Sequence, residues 1–341
     1  MSSNRMLRRA AGATASVAAA AALVAATALT PAARSPAAPL PMPRDGVAFG
    51  VYDPDGTFAS AAAVRIAHDY VHWLRFEPAA FAADAADAAR HGRTLLVTVE
   101  PWTDDGWSGT DTAVMRQVAA GAHDARIDAV CGAVGAAGRP AYVRFAPEME
   151  DQTGRYPWAG DPVGYVAGYR HFVERCRTHA PNASFVWSPI GNTGFTRYYP
   201  GDGYVDQVGL SVFGLEAWDK DQAGRPLTFA ETLRPKYIKS AVYGKPIMIA
   251  ELGVSGSAEY RTRWLAGMLG PQPDFPQLAA VVYFDRAETG RWPSPYGSPD
   301  WRITPEAIDA ARTAAPTADA QPIAGARPAQ VLASNDAVAG R

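Results

Sequence analysis

Eight apolar, β-branched runs of strand length constrain this chain more than any other feature. They fall at 47–52, 70–76, 94–100, 141–147, 184–189, 207–213, 246–251 and 278–284. Most are continuously apolar rather than alternating, the pattern of strands covered on both faces. Between them, apolar residues recur with a period near 3.6 at 58–68, 79–90, 112–137, 163–179, 229–243, 259–269 and 305–313. Gly92, Gly138 and Gly244 follow helical segments and Asp161-Pro162 opens one, as helix stops and starts do. Only the connection at 190–204 carries little helical pattern. Alternating β and α units call for a parallel sheet, and eight of them predict a single (β/α)8 barrel, an α/β fold. The first run leads into Tyr52-Asp53-Pro54-Asp55-Gly56 rather than a Gly-rich fingerprint, which argues against an open dinucleotide-binding sheet.

The barrel is expected to occupy 46–314 of the 341 residues. Residues 1–33 read as a signal peptide: Arg5, Arg8 and Arg9 precede an uncharged Ala/Val/Leu run, and small residues follow it. A Pro/Ala-rich linker at 34–45 and a disordered Ala/Pro-rich tail at 315–341 complete the chain. A secreted or periplasmic location is therefore expected, without stable membrane insertion once the signal is cleaved. Hydrophobic residues at 48% and charged residues at 19% suffice for a large core. A net charge of −2 argues against nucleic acid as a partner, and a monomer is expected. Cys131 and Cys176 fall on consecutive helical segments, where a bridge and two buried thiols are equally allowed.

Barrel chemistry gathers at the C-terminal ends of the strands. There the sequence offers Glu77, Glu100 with Trp102, Glu148 with Glu150, Trp187, Phe213, Glu251, Tyr283 and Asp285. Carboxylates and aromatic rings dominate, and none of these ends carries a His, which disfavours a His-rich metal centre; no metal and no cofactor are expected. Glycosidic bond cleavage needs this inventory: one carboxylic acid protonates the leaving oxygen while a second carboxylate attacks or activates water. Flat rings stack on the apolar faces of sugars, and Trp102, Trp158 and Trp187 are the candidate platforms. Glu148 and Glu251 lie three barrel units apart, on the fourth and seventh runs. The rival reading is a non-catalytic carbohydrate-binding or polysaccharide-export accessory protein on the same barrel.

At these residues the chain resembles glycoside hydrolase family 26 and its wider clan of (β/α)8 retaining glycosidases. The matching pieces are Glu100-Pro101-Trp102, Arg144-Phe145-Ala146-Pro147-Glu148-Met149, Tyr156-Pro157-Trp158, Phe185-Val186-Trp187-Ser188-Pro189, Val205 to Ser211, and Ile249-Ala250-Glu251-Leu252-Gly253. The resemblance implies an endo-acting β-glycanase with Glu148 as acid/base and Glu251 as nucleophile. Their carboxyl groups would then stand about 5–5.5 Å apart. It implies β-mannan as first substrate, with xylan and β-glucan as alternatives, and a bacterial exopolysaccharide is also allowed. The strand-end reading itself offers Glu100, Trp102, Glu150, Trp158, Trp187, Phe213, Tyr283 and Asp285 as the surrounding sugar-binding set. Three positions depart from the family. Pro147 stands where mannan-cleaving members place His, Glu150 where Asn is common, and Phe213 where the clan has a Tyr beside the nucleophile.

Overall fold

The computed structural model describes residues 46–103, 112–288 and 292–315, so the predicted signal, linker and most of the tail lie outside the described residues. Eight strands form one closed parallel barrel: β1 Ala48–Tyr52, β2 Ile66–His72, β3 Thr94–Glu100, β4 Ala141–Phe145, β5 Ala183–Trp187, β6 Gln207–Leu215, β7 Ile247–Ser255 and β8 Leu278–Phe284. Pairing of β1 with β8 completes the ring. The helices are α1 Pro78–Arg90, α2 Val114–Ala119, α3 Asp124–Ala136, α4 Pro162–His179, α5 Glu216–Ala223, α6 Phe229–Ala241, α7 Ala258–Leu269 and α8 Pro305–Ala314. Asp161 caps α4 with Pro162 in its first turn, as the sequence predicts.

Two expected elements differ. The helical segment at 58–68 is absent, and β2 starts at Ile66 instead of Tyr70. Val64, Ile66 and His68 are buried with a period of two, which the Ala-rich stretch just before them disguises as a helix face. Gly50 on β1 lets Ile66 approach closely, since a Cβ there would come within 2.7 Å of the Ile66 Cβ. The second difference is at 112–137, where Gly121, at φ +80°, divides the segment into α2 and α3. The connection at 190–204 contains only two 3₁₀ turns, as its weak periodicity predicts.

The core has two layers. A large cluster fills the space between strands and helices, while Ile66, Leu96, Tyr142, Val186, Met248, Ala250, Ala280 and Val282 close the barrel floor. Further up the same inward-facing rows, the side chains turn polar: His68, Thr98, Arg144 and Ser211 are all buried. Such a polar layer needs internal partners, and those partners define the site.

Cys131 on α3 and Cys176 on α4 form a disulfide with their Cα atoms 5.2 Å apart. Beside it, Asp124 pairs with His171 and Arg175, and Asp128 with Arg175, so the same two helices are joined by charge as well. The bridge closes a separation of 45 residues. Its loss in Cys131→Ser is expected to lower stability by about 2–4 kcal/mol, read as a lower urea midpoint without reductant. An unchanged midpoint would show that the bridge constrains nothing.

Candidate active site

The fourth strand delivers its carboxylate through a strained turn. Ala146 and Glu148 both have left-handed backbones, φ +46° and +58°, although neither is glycine. Each such residue costs on the order of 1–3 kcal/mol and persists only where its surroundings enforce it. Here the enforcement is visible. Glu148 N donates to Ser188 O (2.8 Å), Trp158 Nε1 to Pro147 O (2.6 Å) and Tyr165 Oη to Ala146 O (3.1 Å). The turn thereby directs the Glu148 carboxyl inward, where it accepts from Tyr156 Oη (2.9 Å) and from Ser211 Oγ (2.5 Å).

Glu251 arrives by a different device. Leu210 pairs with Ile249 but Ser211 pairs with Glu251, so β7 carries one extra residue at Ala250. The β7–β8 register slips in the same place. A bulge re-aims the side chain that follows it. Ala250 stays in the barrel floor, Leu252 joins the outer core, and Glu251 is turned toward the mouth.

There the Glu251 Oε1 accepts from Arg144 Nη1 at 2.5 Å. Arg144 is wholly buried and its Nε and Nη2 have no hydrogen-bond partner, so Glu251 is its principal counter-charge. Burial pushes the Glu251 carboxyl up from the usual range, Arg144 pulls it down, and the nearby Glu148 pushes it up again. The Tyr70 hydroxyl faces Glu251 and helps hold its charge, without closing a well-aligned hydrogen bond. The two carboxylates therefore have unlike partners. Glu251 meets a guanidinium that can only donate and never loses its charge, whereas Glu148 meets hydroxyls that can donate or accept.

Around this pair the predicted binding residues divide. Glu100 and Trp102 sit half-buried at the mouth, joined by a 3.0 Å bond from Trp102 Nε1 to Glu100 Oε2. Burial pushes the Glu100 carboxyl up to about 7. Trp102 packs near Tyr156 and edge-on to Trp158, and His72, which ends β2 contrary to the expectation that no strand end carries a His, stacks over it. Trp158 is buried behind Tyr156, so it supports the wall and offers sugar no face.

Other expectations are corrected. Trp187 packs in the outer core against Phe195, Tyr199 and Tyr243, because it is an outward-facing residue of β5. Tyr283 is also buried outside the cleft, donating to Trp301 O. Asp285 is spent on Ile303 N (2.8 Å), and Glu77 is an exposed residue before α1. Phe213 pairs with Gly253, two residues beyond the Ser211–Glu251 pair, and its ring packs on Trp301. The hydroxyl beside Glu251 comes instead from Tyr70 on β2. That residue escaped sequence reasoning because the strand was expected to end at Phe76 rather than His72.

Glu150 is likewise internal. Its Oε1 accepts from Gly191 N (2.8 Å) and Asn192 N (3.2 Å), and its Oε2 has no partner. Burial pushes this carboxyl up to about 7. Below pH 4.5 folded and unfolded chains are both protonated there. Between pH 4.5 and 7 the folded state binds the extra proton, so stability falls as pH rises through that window. Glu150→Gln keeps the accepting oxygen and removes the charge. It is expected to match the parent at pH 4.5 and exceed it by about 1–3 kcal/mol at pH 8. Urea titrations at both pH values check this, and an equal difference at both would refute it.

No family model matches the chain. Its sequence is similar to a β-1,3-xylanase from Alcaligenes sp, at 26% identity over 223 residues, covering 62% of this chain and 44% of that protein. It is also similar to the β-1,3-xylanase TXYA from Vibrio sp, at 29% identity over 145 residues, 40% of this chain and 28% of that one. The chain thus spans less than half the length of the curated relatives it matches. Among solved structures, GH26C from Muricauda sp. MAR_2010_75 superposes with a TM-score of 0.59 at 13% identity, covering 81% of this chain and 88% of that one. A mannanase from Bacillus subtilis gives 0.52 at 16% identity, covering 70% and 79%. The barrel resembles those of glycoside hydrolase family 26 structures. The structural likeness rests on the barrel, and the sequence likeness reaches proteins named for cutting β-linked xylan.

Proposed function

We propose that this chain is an exported, retaining endo-β-glycanase in which Glu251 is the nucleophile and Glu148 the acid/base. The contrast between their partners carries the proposal. Arg144 donates to Glu251 and so favours its charged form against the cost of burial, whereas Glu148 accepts from the hydroxyls of Tyr156 and Ser211, groups that can also accept. In the first step Glu251 attacks the anomeric carbon while Glu148 protonates the departing glycosidic oxygen. In the second, Glu148 takes a proton from water, which attacks the same carbon and releases Glu251. Trp102 is the ring placed to stack on a sugar at the mouth. The polysaccharide needs no cofactor in this scheme.

β-1,3-Xylan is the first substrate to test, ahead of β-mannan. The similar sequences carry that activity in their names, and Pro147 removes the side-chain hydrogen bond expected next to the acid in mannan-cleaving members. Export is supported by the Arg-then-apolar start of the chain and by the disulfide, which favours an oxidising compartment. Purified protein should be incubated with β-1,3-xylan, β-mannan, mixed-linkage β-glucan and β-1,4-xylan, and the first product followed by proton NMR. A β-anomer appearing before mutarotation is expected. An α-anomer would overturn retention, and no release from any polymer would overturn the enzyme.

A further inference from the structure

Lys236 lies on α6, outside the barrel wall, yet its ammonium reaches inward. The chain has 4 lysines beside 28 arginines, which makes a lysine in this place conspicuous. Its stem passes over Gly191, where an added Cβ would meet the lysine Cβ and Cγ at 3.0 Å. Gly191 also adopts φ +93°, so the loop is doubly closed to a larger residue there. Lys236 Nζ donates to the carbonyl of Ser211 at 2.6 Å. Ser211 is the residue beside the β7 bulge, and its hydroxyl donates to Glu148 Oε1. Glu148 and Glu150 face the ammonium with opposite charge, and Lys239 faces it with like charge.

We infer that Lys236 is a positioning residue for Glu148, fixing the Ser211 carbonyl and thereby the hydroxyl that orients the carboxyl. The inference rests on the proposed proton-transfer role of Glu148. Two contacts link the residues in series, and a direct charge interaction links them in parallel. An ordinary surface lysine would do neither. Burial pushes the ammonium down to about 8, so its charge is lost as pH rises through that value.

The coupling can be read without turnover. With four lysines in the sequence, the full chain labelled with 15Nζ-lysine gives a spectrum in which Lys236 is the signal missing from Lys236→Arg. Glu148→Gln should weaken the proton affinity of Lys236 by about threefold or more, because it removes an attracting carboxylate. An unchanged titration midpoint would overturn the inference. The kinetic arm uses the polymer the wild type cleaves and an aryl glycoside with a good leaving group. Lys236→Met should lower kcat on the polymer by about 10–100-fold with little change in KM, and affect the aryl glycoside far less. Lys236→Arg should recover part of the loss. Equal losses on both substrates, or a loss confined to KM, would overturn positioning. If the wild type cleaves none of the polymers, the enzyme proposal fails, while the titration still decides whether Lys236 and Glu148 are coupled.

Discussion

Glu251→Ala is expected to abolish turnover on every substrate, on the order of 10⁵-fold, because the proposed mechanism forms its glycosyl intermediate on this carboxylate. Glu148→Ala should behave differently. Its loss should be large on polymer and small on aryl glycosides whose leaving groups need no proton. Added azide should restore rate to Glu148→Ala and yield a glycosyl azide of retained configuration. These outcomes follow from the partners: Glu251 is tied to a permanent cation, and Glu148 to Tyr156 and Ser211. If Glu148→Ala were equally poor with good and bad leaving groups, its role as proton donor would be lost. If Glu251→Ala retained measurable turnover, the nucleophile would have to be sought elsewhere.

Arg144→Met should destabilise the fold by about 3–5 kcal/mol near neutral pH, the range for removing one member of a buried ion pair. The arginine is wholly buried and its partner half-buried, so the change leaves the Glu251 charge uncompensated. Arg144 holds the Glu251 carboxyl down, so its removal lets that carboxyl take up a proton as pH falls, and the penalty should shrink toward pH 4–5. Arg144→Met combined with Glu251→Gln should recover much of the stability lost by the single change. Urea midpoints across this double-mutant cycle supply the measurement. Additive losses would show that the pair is not energetically linked, and the electrostatic assignment of Glu251 would lose its basis.

The barrel and both carboxylates were legible in the chain because each depends on local pattern. Seven of the eight runs lie where strands form; Glu148 follows the fourth, and Glu251 ends the seventh run although β7 itself continues past it to Ser255. The second run was misplaced because five small residues before Val64 fit a helix as well as a turn. That shift hid Tyr70, whose hydroxyl supplies beside Glu251 what Phe213 does not.

Aromatic composition was a weaker guide than position. Trp102 reaches the mouth, whereas Trp158 and Trp187 fill the core, and nothing in the letters separates them. The difference is one of parity and depth. Trp187 points outward from β5, and Trp158 lies behind the ring of Tyr156.

The sequence by itself therefore determined the fold class and offered Glu148 and Glu251 as candidate carboxylates, since hydrophobic period and strand spacing are properties of neighbouring residues. Tertiary structure alone decided their partners. The extra residue at Ala250 reverses the alternation of β7, and α6 brings Lys236 to the Ser211 carbonyl from 25 residues along the chain. Arg144 meets Glu251 across 107 residues. Such contacts are set by closure of the barrel, which brings distant strands to one mouth, and local pattern carries no record of which side chains will meet there.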